Sequence, residues 1–481
     1  MSTTSVPPPA GPDGMPPRGT SRLIAGDGPL PFADHLARYG PLPFTDSPAG
    51  LGGGAGLGGG AGLGGRAGLG GGAGLGGGAG RPGGEVSALI AAVERSGLTG
   101  RGGGGFPAGR KMRAVALAGR RAGPLRSQVG TVVIANGAES EPSSGKDRLL
   151  LNRAPHLALD GIALAAEAVG ATRAYLCVHS GPDLLAGPLR QAVTDRERAG
   201  ANRVPIQIVA VPGGYVASQE TALISFLNGG AALPGFVPPR PSQRGVHRRP
   251  TLVANVETLA HVALIARYGA DWFRQLGTAS APGSALVTVS GAVTRPGIYE
   301  IALGTPIGDL LHTAGGPAEP PQAVLAGGYF GGWVPMPAAL EVPLSDPGLR
   351  PVGAAMGPGV LVLLPQSSCG LAETARAASY LASQSAGQCG PCSNGLPALA
   401  DAMAEIAFGQ SGPDVLGWAE RLMGLVTGRG ACHLPDGTAG LVASALRVFA
   451  ADLRRHAELG PCSRVGRAPV LALPNPASPA S

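Results

Sequence analysis

Between residues 131 and 211 short apolar runs alternate with longer amphipathic ones, and nothing else in the chain restricts the fold as strongly. Residues 131–135, 173–178 and 203–211 read as strands, and residues 155–169 and 182–196 carry small apolar side chains at helical spacing. Strands joined through helix-length connections pair in parallel, so this stretch predicts an α/β layer with a mostly parallel sheet. A helix over 85–95, with Leu89, Ile90 and Val93 on one side, precedes it, and 251–268 reads as a further amphipathic helix.

The texture then changes twice. Short β-rich runs at 285–293, 297–301 and 359–364 surround one helix at 306–313, which suggests a small β-grasp-like module. From 371 to 456 the pattern is helical, with breaks at Gly395, 411–413 and 428–437, and predicts a compact helical bundle. The segments expected are a Pro-rich extension (1–48, with 30–44 as an extended strap), a Gly-rich tether (49–83), the α/β domain (84–280), the β-grasp-like module (281–365), the helical domain (366–457) and a disordered tail (458–481).

Glycine needs separating into signal and background. Of 82 glycines, 19 fall within residues 51–80 as near-copies of Gly-Leu-Gly-Gly-Gly-Ala, a composition too poor in apolar side chains to build a core. Net charge is +7 with 4% aromatic residues and no basic run interleaved with aromatics, which argues against a nucleic-acid partner. No uncharged apolar stretch approaches the roughly 20 residues of a membrane span. The N-terminus lacks a basic-then-apolar leader pattern, and the chain reads as cytoplasmic.

Among 37 basic residues only Lys111 and Lys146 are lysine, so a lysine kept in this arginine-rich chain points to a need for its compact ammonium. Lys111 closes the run Gly100-Arg101-Gly102-Gly103-Gly104-Gly105-Phe106-Pro107-Ala108-Gly109-Arg110-Lys111. Glycines let backbone N–H donors approach a phosphate or a flat ring. The spacing is neither that of a P-loop nor that of a dinucleotide turn. A second motif, Asn136-Gly137-Ala138-Glu139-Ser140-Glu141-Pro142 with Lys146-Asp147-Arg148, follows a predicted strand, where α/β proteins bind ligands. Gly213-Gly214-Tyr215 with Gln219-Glu220-Thr221, and Asn255-Val256-Glu257-Thr258, are each explained equally well by helix capping. Cys389-Gly390-Pro391-Cys392, with Cys432 about 40 residues on, suits iron–sulfur ligation; zinc with His433 as a fourth ligand and a redox pair are rivals. Cys177 reads as a core residue and Cys462 falls in the tail.

In this order the motifs resemble those of the NADH- and FMN-binding subunit of respiratory complex I, also found in NAD-linked hydrogenases and formate dehydrogenases. The likeness runs from about residue 85 to 456. It implies an α/β flavin-binding domain, a β-grasp-like module and a helical bundle, with FMN, NADH and a 4Fe–4S cluster as cofactors. Gly102, Gly103, Gly105, Lys111, Asn136 and Asn255 would surround FMN; Phe106, Glu141 and Glu220 would lie toward the nicotinamide; Cys389, Cys392 and Cys432 would hold iron. The resemblance implies electron transfer from NADH through FMN to the cluster, and then to a ferredoxin-like or membrane-bound redox partner. A non-catalytic relay or assembly subunit is the rival reading.

The departures fall in the sites. Ala138, Ser140, Ser218, Gln219 and Ala254 stand where the family has Asp, Gly, Gly, Glu and Asn, and Ala386 replaces the first cluster cysteine. Each lost hydrogen bond is worth about 1 kcal/mol, whereas a side chain in place of Gly at position 218 acts sterically. Along a straight helix Cys369 would lie about 25 Å from Ala386, too far to replace the missing thiolate.

Overall fold

The computed structural model describes residues 21–24, 26, 28–43, 87–121, 130–181, 185–409 and 413–474; the glycine tether and most of the Pro-rich extension lie outside them. The first half contains α1 (Phe32–Tyr39), α2 (Ala88–Ser96), α3 (Ala108–Arg121), β1 (Thr131–Asn136), α4 (Lys146–Arg153) and α5 (Pro155–Val169). It continues with β2 (Ala171–His179), α6 (Ala186–Arg198), β3 (Ile206–Val211), α7 (Glu220–Leu227), β4 (Thr251–Asn255) and α8 (Val256–Arg274). The four strands form one sheet in the order β3-β2-β1-β4, parallel throughout.

Alternation along the strands builds two cores. Val133, Ala135, Leu176 and Leu252 face the larger core, which α2, α3, α5 and α8 close. Val132, Ile134, Tyr175 and Val253 face a smaller one under α7. Both faces are therefore covered, as a parallel sheet requires. Helices α5 and α8 lie so close that a Cβ on Gly161 would collide with the Leu259 carbonyl.

One element differs from its expected type. Residues 251–255 are a strand, not the first turns of a helix, because they pair with β1 from Val132↔Thr251 to Asn136↔Asn255. The β-branched Thr251 and Val253 suit that pleat. Asn255 ends it and caps α8, its Oδ1 accepting the Glu257 N–H at 3.0 Å.

The second sheet contains β5 (Ser284–Gly291), β6 (Gly297–Ala302), β7 (Pro321–Ala326), β8 (Gly332–Pro335) and β9 (Val360–Pro365), in the order β6-β5-β9-β7-β8. Only β5 and β9 run parallel. Helix α9 (Ile307–Thr313) buries Ile307, Leu310 and Leu311 against it. Strands β7 and β8 escape the sequence reading; they flank the tight Gly327–Gly328 corner, where both glycines have positive φ.

The bundle comprises α10 (Gly370–Ser383), α11 (Leu396–Phe408), α12 (Pro413–Val426), α13 (Leu434–Val448) and α14 (Ala450–Leu459). Trp333 of β8 plugs into it, donating from Nε1 to Thr374 Oγ1 at 2.9 Å. Residues 460–474, expected to be disordered, pack instead. Leu471 is buried, and the Val470 and Leu471 N–H groups both donate to Glu373 Oε2 at 3.0 Å.

The N-terminal strap also differs: 32–39 is helical. His35 of α1 meets Asp160 at 2.7 Å, and Arg196 and Arg267 close on the same carboxylate at 2.7 and 2.5 Å. Burial alone would raise Asp160, but His35 and the two guanidinium groups outweigh it and hold its carboxyl well below the usual range.

Candidate functional site

The glycine loop precedes α3 and rests against the carboxyl end of β4 and the start of α8. A bridge between Thr99 and Pro107 closes its base, together with Gly100 N–H to Phe106 O at 2.9 Å. Arg101 points backward and is buried; its N–H donates to Thr258 Oγ1 at 2.9 Å and its guanidinium to Ser284 O at 3.2 Å. It fastens the loop and leaves the glycines in front. No N–H from Gly102 to Phe106 has a partner among the described residues. At Gly105, with φ +58°, a Cβ would meet Asp346 Oδ2 at 2.7 Å, and at Gly102 one would press on the Asn255 Cβ at 3.1 Å. On its other side the loop lines a cleft of about 220 Å³ with Asp346, Met356 and Pro358. Phe106 closes the loop and is 50% exposed.

Lys111, one turn into α3, meets Glu220 at 2.6 Å, each side chain about a third exposed. Lys146 is enclosed: its Nζ reaches Asp147 at 2.6 Å, Glu257 at 2.8 Å and Asn255 Oδ1 at 3.3 Å. Burial disfavours its charge, but Asp147, Glu257 and Glu139 outweigh that and push its pKa above the ordinary value. Asn255 Nδ2 donates to Asp147 Oδ2 at 2.6 Å, and Asn136 Nδ2 to the Ser218 carbonyl at 2.8 Å. The two lysines thus serve different purposes: Lys146 sets the floor of the site and Lys111 stands at its edge.

The departures from the family pattern meet here. Ser140 Oγ and Ser218 Oγ are 2.6 Å apart, so two side chains replacing two glycines join the second and third motifs. Gln219 caps α7, its Oε1 accepting from Thr221 and Ala222 N–H at 2.7 and 3.1 Å. Glu141 does not face the open side. Tyr215 Oη and Tyr329 N–H both donate to its Oε2 at 2.9 Å. Burial raises its carboxyl to about 7, with the Tyr329 and Tyr215 donors offsetting only part.

The loop over 213–220 also reaches the bundle. Tyr215 N–H donates to Gln384 Oε1 at 3.0 Å, at the carboxyl end of α10, just before the cysteine motif. Cys389, Cys392 and Cys432 come together there, close enough to influence one another's ionisation. Burial opposes the Cys389 thiolate, but N–H groups of Ala431 and Cys392 and the neighbouring thiol hold its pKa below the ordinary value. Burial pushes Cys392 up to about 12. The Ala386 N–H points at Cys392 Sγ. His433 is no stand-in for the missing thiolate: its side chain is 91% exposed and leans toward Asp436 at 3.4 Å. Cys177 is sealed in the α/β core and raised to about 12 by burial.

Sequence reasoning missed the Ser140–Ser218 contact, the Glu141–Tyr215–Tyr329 junction and the approach of Cys369, His456 and Cys462. The first two join distant loops and leave no local signal. The third had one, a Cys six residues after a His, hidden by the proline-rich composition around it.

A covered parallel sheet with a donor-lined glycine loop at its carboxyl edge, coupled to a thiol-bearing bundle, suits a redox protein that holds a flavin and an iron–sulfur cluster. The Nuo51 FMN-binding domain matches residues 93–264, the SLBB domain 286–330 and the NADH-ubiquinone oxidoreductase-F iron-sulfur binding region 372–456. One of the NADH-quinone oxidoreductase F subunits of Rhizobium meliloti is 32% identical over 386 residues, which span 78% of this chain and 90% of that protein. Its counterpart in Streptomyces coelicolor is 31% identical, over 76% and 82%. Among solved structures, an NAD+-reducing NiFe hydrogenase in the H2-reduced state is similar with TM-score 0.68 and 33% identity; the match covers 78% of this chain and 63% of that chain. The chain belongs to the family of the NADH-quinone oxidoreductase F subunits. FMN, a 4Fe–4S cluster and NADH are the cofactors of that family, and among the described residues no helix is long and apolar enough to cross a membrane.

The residues present fit these groups. The unpartnered N–H groups beside Lys111 suit the phosphate of a flavin nucleotide, and a Cβ at Gly102 or Gly105 would crowd the loop that presents them. Three convergent thiols suit an iron–sulfur cluster, with the fourth iron lacking a cysteine from this chain.

Proposed function

We propose that this chain oxidises NADH and delivers single electrons through an iron–sulfur cluster to a redox partner, either ferredoxin-like or membrane-bound. FMN bound at the glycine loop would supply the conversion of a two-electron donor into one-electron steps. The loop over 213–220 is the observation that carries this reading. On one side it meets Asn136 and Ser140 of the flavin half through Ser218, and on the other it meets the lead-in to the cysteine motif through Tyr215.

Each residue then has work suited to its place. Gly102, Gly103 and Gly105 present backbone donors, and Lys111 brings a positive charge that an incoming phosphate would share with Glu220. Asn136 and Asn255 fix the carboxyl ends of β1 and β4 so that the floor stays rigid. Phe106 offers its face to a base or nicotinamide ring. Glu141 and Tyr215 hold the flavin half against the second sheet and bundle. Cys389, Cys392 and Cys432 would ligate the cluster, and Cys389 and Cys432 are only partly buried, which would leave it open to a partner. Residues 84–280, 281–365 and 366–457 are read as flavin, β-grasp-like and iron–sulfur units.

The test is the visible spectrum of anaerobically purified protein. Flavin bands that bleach when NADH is added support the reading, and Cys389→Ala should remove the iron absorbance. A cluster-only spectrum unmoved by NADH would leave only a relay role.

A further inference from the structure

The bundle contains a second group of soft ligands that the proposed electron path does not use. Cys369 caps the start of α10, His456 lies on α14, and Cys462 follows α14 at the head of the C-terminal segment. All three are buried, and one ligand atom from each lies within 4.8 Å of the others. We propose that Cys369, His456 and Cys462 bind a zinc ion that pins the C-terminal segment to the bundle.

The donor set is the first argument. Two thiols and one imidazole, with no carboxylate in the group, suit zinc better than calcium or magnesium. Geometry is the second. Cys369 Sγ lies 3.9 Å from His456 Nε2, against about 3.6 Å between sulfur and nitrogen ligands of one tetrahedral zinc, so only slight tightening is needed. The third is orientation. His456 Nδ1 sits 3.2 Å from the Ile406 carbonyl, which fixes the proton on Nδ1 and turns the Nε2 lone pair toward the thiols. The Cys462 N–H reaches that same Nε2 at 3.2 Å, a contact the ion would replace. Three protein donors leave the fourth position to water.

This group is separate from the cluster thiols. Cys369 precedes α10, whereas Cys389 and Cys392 follow it, and a 14-residue helix is about 21 Å long. Its position explains what the ion would do. Two stretches of chain distant in sequence, the start of α10 and the junction of α14 with the C-terminal segment, are joined at one point, and the segment so held continues to Glu373 and to Tyr329, whose Oη donates to the Ala472 carbonyl at 2.8 Å.

The experiment measures metal content in the full chain, purified anaerobically. Wild type is expected to carry about one zinc per chain in addition to its iron. Cys389→Ala should lose iron and keep zinc. Cys369→Ser and Cys462→Ser should each cut zinc to below about a tenth while keeping iron, which also reports that the bundle has folded. Both variants should be cleaved faster within residues 460–474 by added protease. In the Cys389→Ala background, cobalt substitution should give a thiolate charge-transfer band without relying on the other two variants. Absence of zinc and of that band overturns the proposal, as does a Cys369–Cys462 disulfide found by mass spectrometry in place of metal. Zinc lost from Cys389→Ala but kept in Cys462→Ser would place it on the cluster thiols and equally overturn the assignment.

Discussion

The flavin half and the iron half of this molecule hold their chemistry by opposite means. In the α/β half the proposed ligand-facing groups are mostly backbone N–H donors, supported from below by side chains that pair with one another: Lys146, Asp147, Glu257 and Asn255. In the bundle the proposed ligand groups are side chains, three thiols on a turn and a neighbouring helix start, steadied by single backbone N–H groups such as those of Ala386 and Ala431. The contrast explains how each half bears divergence. Backbone donors survive a change such as Asn→Ala at position 254, because the β4–β1 ladder still places the strand. A thiolate lost at position 386 has no equivalent reserve.

The sharpest way to break that contrast compares the two lysines. Lys146→Ala strands Asp147 and Glu257 in a buried pocket and should cost about 3–5 kcal/mol, read from urea denaturation. Lys111→Ala removes a pair about one third exposed and should change stability by less than about 1 kcal/mol while flavin retention falls. Equal losses in stability would mean the floor and the edge of the site are not distinct.

The Glu141 junction gives a pH signature. Its carboxyl is raised from an ordinary 4.5 to about 7 in the fold, so the native state holds the proton more tightly than the unfolded chain. Its cost is absent below about pH 4.5, grows through the interval and is complete above about pH 7, reaching roughly 3 kcal/mol. Glu141→Gln should therefore gain stability relative to wild type as pH rises through that window. A constant difference across it would show that Glu141 does not titrate there.

Two smaller effects address the departures directly. Ala386→Cys places a thiol beside Cys392 and should raise retained iron by up to about a third, by completing the four-thiolate set, with iron analysis as the readout. Ser218→Gly removes the contact to Ser140, costs about 1 kcal/mol of stability and should raise the share of protein purified with flavin. No gain in flavin would mean the serine pair lies clear of the ring.

Much of the molecule is legible in the amino-acid sequence because its signals are local. Alternating strands and helices, the glycine run with Lys111 and the spaced cysteines all appear within short windows. Residues 251–255 defeat that reading, since five residues of strand merge with the helix they enter and only the β1 ladder distinguishes them. Glu141 reads as a free acid beside a ligand, and only the approach of Tyr215 and Tyr329 from elsewhere in the chain shows it sealed. Residues 460–474 look too rich in proline to pack, yet the Val470 and Leu471 N–H groups, the buried Leu471 side chain and the contacts of Ala472 with Tyr329 and of Val465 with Arg376 dock them.

The Tyr215–Ser218 segment acts as a covalent ruler. Three peptide units separate the residue that touches the bundle from the residue that touches the flavin half, and such a stretch spans at most about 11 Å. The separation between the Asn136 end of β1 and the lead-in to the cysteine motif is therefore set by bond lengths as well as by domain packing. A hinge that opened the second sheet away from the α/β unit would still carry the cysteine motif along with the flavin loop, unless the Tyr215–Gln384 contact broke first.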